Sequence, residues 1–433
     1  MSRDVLQLDW TQGNAVRLLK NGQAFFPALC QAIDAARSSV HLETYIFTLD
    51  RSARAVLVAL ARASARGVKV RVVIDGFGSQ DEAPEVMRRI VRAGGQCRIY
   101  RPEPRWLGRL FFSRNRLRRL HRKMAVIDGR VAFVGGINIV DDYDDLDVHE
   151  GHALGTRFDF AVEVVGPLVP YAVHAQELLW VRLRGAGRRR LARLAQAARD
   201  SAAGRLPRAF DQSGATQDVL RRFGWRGLRR PPYEVPGDPP GVLRAALVLR
   251  DNLRFRQTFE RAYLYGIARA RKDILIASAY FFPGLRFRRA LARAAARGVR
   301  VRLLLQGKIE YRMQYYATNA LYAELLGAGI EIYEYMPSYL HAKVAVIDDV
   351  ASVGSSNLDP FSLLLAREAN VIVDDAGFAS QLRAELEAEM EQGGHQVLAA
   401  VHGGRGRLRR WIDNAAYTLL RIGVALTGQS ARY

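Results

Sequence analysis

The chain has 433 residues, 49% of them hydrophobic, which is long enough for two core-bearing halves. Its formal net charge of +22 predicts attraction to a polyanion, either nucleic acid or an anionic lipid surface. The two cysteines, Cys30 and Cys97, exclude a disulfide framework and a zinc cluster and favour a reducing compartment. The first residues lack an apolar signal core, and no run of about eighteen apolar residues could span a membrane.

The first part of the chain alternates predicted helices and strands. Apolar residues between 25 and 33 recur at helical spacing and precede a strand over 40–47. A helix over 52–66 and a strand over 68–75 follow. This alternation predicts an α/β layer structure.

A long internal repeat then becomes visible. Residues 61–76 match residues 292–307 at a constant offset of 231, and the Ile-Tyr pair at 99–100 recurs at 332–333. A period above about 200 residues is too long for a solenoid and indicates two copies of one domain. Two copies facing each other would meet at a pseudo-twofold axis.

The second shared segment carries the polar residues. Leu120–Val140 and Leu340–Pro360 both contain His-x-Lys, four residues, Asp, and then a turn that ends in Asn. The residues are His121, Lys123, Asp128 and Asn138 in the first copy, and His341, Lys343, Asp348 and Asn357 in the second. MAVI and VAVI between them predict buried strands, on which each His and Lys share a face. The aspartates have the opposite parity, which indicates supports rather than proton carriers.

Lysine is rare in this chain, and its positions are informative. Lys and Arg together number 65, but only six are Lys, and two of those six are Lys123 and Lys343. An Arg-rich chain that keeps Lys at matched sites needs a compact point charge there, as at a single phosphate oxygen.

These residues resemble the phospholipase D superfamily, whose signature of this form occurs twice in each chain. Within it, the chain is similar to the branch formed by the bacterial cardiolipin synthases of type B. The similar segments are 13–22, 41–47, 65–79, 116–138, 279–284, 296–307 and 353–373. The resemblance implies a duplicated phospholipase D-like α/β fold: two mixed-sheet halves related by a pseudo-twofold, with one shared active site.

The resemblance also implies histidine-orienting acids and a chemistry. By this resemblance, Asp159 would accept a hydrogen bond from His121 and Glu368 one from His341, and each bond would fix the tautomer of the imidazole. Glu43, whose second-half counterpart we take to be Ser278, is a weaker candidate for a substrate-side role.

One imidazole would attack phosphorus while the other protonates the leaving oxygen, so that a phosphatidyl group passes through a phosphohistidine. We take His121 as the nucleophile, since the N-terminal motif usually carries the intermediate in this family. Asn138 and Asn357 would hold phosphate oxygens together with the lysines, without a metal or other cofactor.

The remaining segments set the expected domain limits and partners. The halves are 1–184 and 242–400, joined by a basic, Pro-rich linker over 185–241 and followed by a tail over 401–433. Residues 101–119 mix seven Arg with aromatic rings, as a segment at a lipid headgroup interface or a solvated basic loop would.

Residues 407–426 predict an amphipathic basic helix that docks on the protein or lies in a membrane surface. Its apolar face would comprise Trp411, Ile412, Ala415, Ala416, Leu419 and Leu420. His149 and His152 fall in an acidic stretch that we interpret as a surface loop, with a metal site as the lesser alternative.

The sequence thus favours a peripheral enzyme on the cytoplasmic side of the cell membrane, acting on phosphatidylglycerol-type lipids, with nucleic acid an unlikely partner. Three alternatives remain: a hydrolytic phospholipase D, a nuclease of the same superfamily, and a non-catalytic binder of anionic surfaces. The sequence does not indicate an oligomeric state.

Overall fold

The structure is a computed structural model that describes residues 8–102, 118–142, 156–183, 185, 239–250, 258–359 and 366–424. Most of the aromatic-basic segment, both histidines of the acidic stretch and nearly all of the linker lie outside these ranges.

Within the described residues, the first half contains seven strands. They are β1 (Trp10–Lys20), β2 (Ser39–Thr44), β3 (Lys69–Asp75), β4 (Gln96–Tyr100), β5 (Lys123–Ile127), β6 (Val131–Gly135) and β7 (Phe160–Val165). Its helices are α1 (Asn21–Ala35), α2 (Arg51–Ala65), α3 (Ala83–Arg92) and α4 over 169–183. The predicted elements over 25–33, 40–47, 52–66 and 68–75 are present, whereas β1 and α4 were not predicted.

The second half repeats this order and extends it. Its strands are β8 (Leu243–Arg250), β9 (Asp273–Ser278), β10 (Arg300–Gln306), β11 (Glu331–Tyr335), β12 (Lys343–Ile347), β13 (Val350–Gly354), β14 (Glu368–Asp374) and β15 (Gly394–Gln396). Its helices are α5 (Thr258–Arg269), α6 (Leu285–Ala296), α7 (Arg312–Gly327), α8 (Ala376–Gly393), α9 (Ala399–Gly403) and α10 (Arg407–Val424).

The fifteen strands found in the described part of the chain form one sheet, in the order β15-β11-β10-β9-β12-β13-β14-β8-β1-β7-β6-β5-β2-β3-β4. β2 to β4 and β9 to β11 pair in parallel, whereas the strands between these two groups pair antiparallel. The halves join where β1 pairs antiparallel with β8, for example Trp10 with Ala246. The order is nearly the same read from either end, which confirms the predicted duplicated α/β fold.

The core has three main parts, and one of them belongs to both halves. Buried residues of β6, β7, β13 and β14 share a single apolar cluster with Ala172 of α4 and Leu382 of α8. Separate clusters fill the opposite face, one under α1 and α2 and one under α6 and α7. Because the shared cluster crosses the junction, burial of apolar surface holds the halves in a fixed relation.

The predicted C-terminal helix forms, but its apolar residues divide into two groups. Ala416 and Leu420 are buried against the cluster under α7, and the ring of Tyr417 lies 5.3 Å from that of Phe282. Trp411 and Leu419 are 69% and 61% exposed. In the part of the chain that the structure describes, every helix is too short or too polar to span a lipid bilayer.

Candidate active site

Each motif strand is anchored at its far end by the motif aspartate. Asp128 follows β5 with φ of 52°, and its carboxylate accepts the backbone N–H groups of Arg37, Ser38 and Ser39, each at 2.8 Å. Although partial burial acts to raise it, these donors hold the pKa of Asp128 below its ordinary value. The carboxylate therefore ties the β5 turn to the start of β2.

The second copy repeats this anchor. Asp348, with φ of 50°, accepts the N–H groups of residues 271–273 at 2.9 to 3.1 Å. Both aspartates thus make the contacts of structural supports, in agreement with their parity on the strand.

The two motif lysines are almost fully buried. Lys123 is 4% exposed and Lys343 is 1% exposed, and each ammonium group donates to the backbone carbonyl of its own motif histidine. Burial, reinforced by the charge of the other lysine, lowers the pKa of Lys123 to about 7. Burial likewise lowers the pKa of Lys343 to about 8. A bound anion would compensate both charges.

The histidines take their carboxylate partners from the opposite halves. His121 Nδ1 lies 3.1 Å from Glu368, and His341 Nδ1 lies 2.6 Å from Asp159. The predicted pairing of His121 with Asp159 and His341 with Glu368 is therefore wrong, although the four residues do meet.

Backbone pairing between the halves explains the crossing. The His121 N–H donates to the Arg367 carbonyl at 3.0 Å, and the His341 N–H donates to the Phe158 carbonyl at 2.8 Å. Each histidine is thereby placed beside the residue that precedes the other half's acid. A carboxylate that accepts from Nδ1–H leaves Nε2 as the nitrogen able to attack phosphorus. Burial also lowers the pKa of both imidazoles, which keeps that nitrogen unprotonated near neutral pH.

The turn after each motif contacts the carboxylate of its own half, and the contact differs between the halves. A side chain at Gly136 would collide with the Asp159 carboxylate, so glycine is needed for the carboxylate to fit. The matching residue is Ser355, whose hydroxyl donates to Glu368 Oε2 at 2.5 Å. Burial raises the pKa of Asp159 to about 6, despite the opposing charge of Lys343.

The motif asparagines are buried beside the same turns. Asn138 and Asn357 are each 3% exposed, and Asn138 Oδ1 accepts the Ile46 N–H at 3.2 Å. A phosphate-binding role for their amide groups remains a prediction.

Glu43 does not reach the rim of the site. It is fully buried, and its carboxylate accepts from Arg122 Nε at 2.6 Å. The strand register also corrects its predicted counterpart: Asp128 and Asp348 bind Ser39 and Asp273, so Glu43 aligns with Ala277 rather than Ser278. Arg122 aligns with Ala342, so one half holds a buried ion pair where the other half holds two alanines.

A second pair was missed by sequence reasoning. Asp75 accepts the Leu120 N–H at 2.8 Å, and Gln306 accepts the Leu340 N–H at 2.7 Å. Both side chains therefore hold the residue just before a motif histidine. The only available signal was that these residues end the matched segments 61–76 and 292–307, one position before their last glycines.

Comparison with known proteins places the chain among lipid enzymes. A family model described as "Cardiolipin synthase, PLD-like domain" matches residues 29–145 and 263–390. The chain is 36% identical over 382 residues to cardiolipin synthase B of Escherichia coli K12, covering 88% of this chain and 81% of that protein. It is 30% identical over 384 residues to cardiolipin synthase A of Pseudomonas putida, covering 88% and 69%.

A solved structure shares the fold. Phosphatidylserine synthase from Haemophilus influenzae superposes with a TM-score of 0.65 at 14% identity, over 99% of this chain and 98% of that one.

Proposed function

The chain belongs to the cardiolipin synthase family of phospholipase D-like proteins, and from that premise we propose that it joins two phosphatidylglycerol molecules to give cardiolipin and glycerol. It is a phosphatidyl-transferring enzyme of this superfamily. The observation that carries the proposal is the crossed arrangement of His121 with Glu368 and His341 with Asp159, between two buried lysines.

The proposed reaction has two displacements. His121 Nε2 attacks the phosphorus of the first phosphatidylglycerol, the P–O bond to glycerol breaks, and His341 gives its proton to the departing glycerol oxygen. A hydroxyl of the second phosphatidylglycerol then attacks the phosphohistidine. His341 takes up the hydroxyl proton, the P–N bond breaks, and cardiolipin leaves.

The difference between the two histidine contacts supports these roles. The 2.6 Å contact of His341 with Asp159 has the length of a charge-assisted hydrogen bond, which suits a group that carries a proton during the reaction. His121 makes a longer contact of 3.1 Å and also lies 3.2 Å from the Ser355 carbonyl, which suits a neutral imidazole donating from Nδ1. Burial holds the pKa of the free His341 imidazole well below its ordinary value, so the negative charge of a bound phosphodiester is what would protonate it before glycerol leaves.

Lys123, Lys343, Asn138 and Asn357 are proposed to hold the non-bridging oxygens. Two ammonium groups compensate the negative charge of the bound phosphodiester and the further charge that builds up on its non-bridging oxygens in the transition state. Both lysines are already buried before substrate binds, and this burial lowers their pKa values.

We further propose that the protein binds peripherally to an anionic membrane on its cytoplasmic side. Exposed apolar side chains lie between β10 and the first turn of α7 and along α10: Ile309, Tyr311, Met313, Leu408, Trp411, Leu419 and Ile422. Arginines at 407, 409, 410 and 421 accompany them on that helix. Apolar side chains flanked by arginines suit a surface that inserts among headgroups. The cytoplasmic side is supported by two cysteines that form no disulfide.

The test is incubation of the purified protein with vesicles of labelled phosphatidylglycerol, followed by separation of the products. Cardiolipin together with glycerol is expected, and the variant His341→Asn should form neither. Phosphatidic acid as the sole product would show a hydrolase instead. Nicking of DNA without turnover of lipid would show a nuclease.

A further inference from the structure

A narrow pocket opens beside the second motif, at the carboxyl ends of β9 and β10. Its lining includes Tyr280, Gln306, Lys308, Glu310, Tyr311 and Gln314. Ligands of open α/β sheets bind outside the carboxyl ends of strands, so this is a favourable location for a substrate group.

Two residues that line the pocket, Gln306 and Ala279, are hydrogen-bonded to the backbone on either side of His341. Gln306 accepts the Leu340 N–H at 2.7 Å, and the Ala279 N–H donates to the Ala342 carbonyl at 3.1 Å. Glu310 is close enough to Lys343 for its charge to oppose the lowering of that lysine's pKa by burial. The pocket therefore adjoins the site on the His341 side.

The pocket combines a fixed carboxylate with aromatic faces. The Tyr280 hydroxyl donates to Glu310 Oε2 at 2.8 Å, and the rings of Tyr280 and Tyr311 lie 5.7 Å apart. The carboxylate can accept hydrogen bonds from hydroxyl groups, and the rings can pack on their C–H faces. Lys308 lines the same pocket, so its charge offsets that of Glu310, and a pocket without net charge suits an uncharged polyol better than a phosphate.

The first half has no equivalent group. Asp75 aligns with Gln306, and Gly76 and Gly307 both donate to the last residue of the neighbouring strand, so Ser79 aligns with Glu310. The Ser79 hydroxyl donates to the Tyr45 carbonyl at 3.0 Å and accepts the Phe47 N–H at 2.9 Å. Ser79 therefore stabilises the loop that contains it through backbone hydrogen bonds, whereas Glu310 lines a pocket.

We infer that this pocket, whose volume of about 20 Å³ admits a group the size of one hydroxyl, takes one unreacting glycerol hydroxyl of the leaving headgroup and then one of the acceptor headgroup, with Glu310 as its hydrogen-bond acceptor. The inference rests on the proposed function, in which both groups occupy the His341 side because the same imidazole protonates one and deprotonates the other. A subsite that holds a polyol there favours transfer to a headgroup over transfer to water.

The test compares two labelled soluble acceptors, glycerol and ethanol, with unlabelled phosphatidylglycerol vesicles as donor, so that label entering the lipid reports transfer even where the product is phosphatidylglycerol itself. Glu310→Gln is expected to raise the KM for glycerol about tenfold, the scale of one lost hydrogen bond to a charged group, and to shift products towards phosphatidic acid. The KM for ethanol, which has no second hydroxyl, should stay within about twofold. Tyr280→Phe should act in the same direction but less, since it frees the carboxylate without removing it.

Glu391→Gln is the matched control, because Glu391 is an exposed carboxylate in α8 of the same half. It should behave as the unmodified protein, and melting curves should establish that all variants are folded. An unchanged glycerol KM in Glu310→Gln, or an equal change for both alcohols, would overturn the inference. If the unmodified protein formed no cardiolipin, the proposed function itself would fail instead.

Discussion

The charge states of single buried groups govern when this site can work. Asp159, with a pKa raised to about 6, must be ionised to hold His341, so activity is lost as pH falls below that value. Lys123, with a pKa lowered to about 7, and Lys343, with a pKa lowered to about 8, must be protonated to hold phosphate, so activity is lost as pH rises past them.

We therefore expect a narrow bell-shaped dependence of kcat/KM on pH, highest between the acid and lysine limbs. The measurement is initial transfer rate at low lipid concentration across the pH range. Lys123→Arg should move the alkaline limb upwards to that of Lys343, because Lys123 has the lower pKa of the two lysines and a guanidinium stays protonated there. A rate still rising at pH 9 would contradict the lysine assignment.

The two histidines make separable contributions, which allows the nucleophile to be identified. With a donor that has a good leaving group, His341→Ala should accumulate a phosphatidyl adduct, because attack no longer needs an acid. His121→Ala should form none. Mass spectrometry of peptides from the trapped protein locates the adduct, and its appearance on His341 would exchange the two roles.

The buried ion pair of Arg122 and Glu43 is not required by the fold, because the second half has Ala342 and Ala277 at the aligned positions. Arg122→Ala alone leaves a buried carboxylate uncompensated and should cost about 3–5 kcal/mol of unfolding free energy. Adding Glu43→Ala should recover part of that loss, since no buried charge remains. Urea unfolding measures both.

Arg17→Ala serves as control, because Arg17 is 61% exposed and its pair with Glu163 should contribute under about 1 kcal/mol. A double variant less stable than Arg122→Ala would show that packing, rather than charge, dominates at this place.

At the scale of elements, α10 has one face on the protein and another in solvent. Trp411→Ser and Leu419→Ser should weaken binding to anionic vesicles about tenfold each, by removing apolar surface from the lipid interface, and should leave the melting temperature nearly unchanged. Leu420→Ser should instead destabilise the fold, because Leu420 is 4% exposed. Vesicle flotation and thermal unfolding separate the two effects, and equal flotation of all variants would make α10 purely structural.

Local patterns predicted the elements whose signals are local. MAVI and VAVI gave β5 and β12, and the spacing of the motif fixed which side chains enter the site. β1 was not predicted because its sequence mixes polar and apolar residues without strict alternation, and its register shifts between Thr11 and Asn14. Its position depends on pairing with β8, more than 200 residues away, and no local pattern reports such pairing.

The sequence also identified Asp159 and Glu368 as the acids that bind the histidines, but it assigned each acid to the wrong histidine, again because the pairing depends on contacts that are distant in sequence. Chain order puts Asp159 nearest to His121, whereas the bridges between Leu120 and Arg367 and between Phe158 and Leu340 exchange the acids. Those bridges are contacts between halves. The asymmetries at Arg122 and at Glu310 also became visible only once register aligned the halves residue by residue.

At the scale of the whole molecule, the net charge of +22 should set the strength of the attraction to an anionic membrane. Binding to phosphatidylglycerol vesicles should weaken steeply between low salt and about 0.5 M salt, because ions screen the attraction, and neutral phosphatidylcholine vesicles should bind poorly at any salt. Co-sedimentation measures both. Salt-independent binding would assign the affinity to the apolar residues alone.

The crossed carboxylates also constrain how such a protein can be inherited. Each histidine is hydrogen-bonded to a carboxylate that lies in the other half of the chain. A recombination event that joined the first half of one relative to the second half of another would therefore separate both histidines from the acids with which they evolved. Gly136 accommodates Asp159 within one half, and Ser355 binds Glu368 within the other. Each half therefore positions its own carboxylate, and that carboxylate binds the histidine of the other half. Chimeras between distant relatives should be limited by this exchange even where each half folds normally.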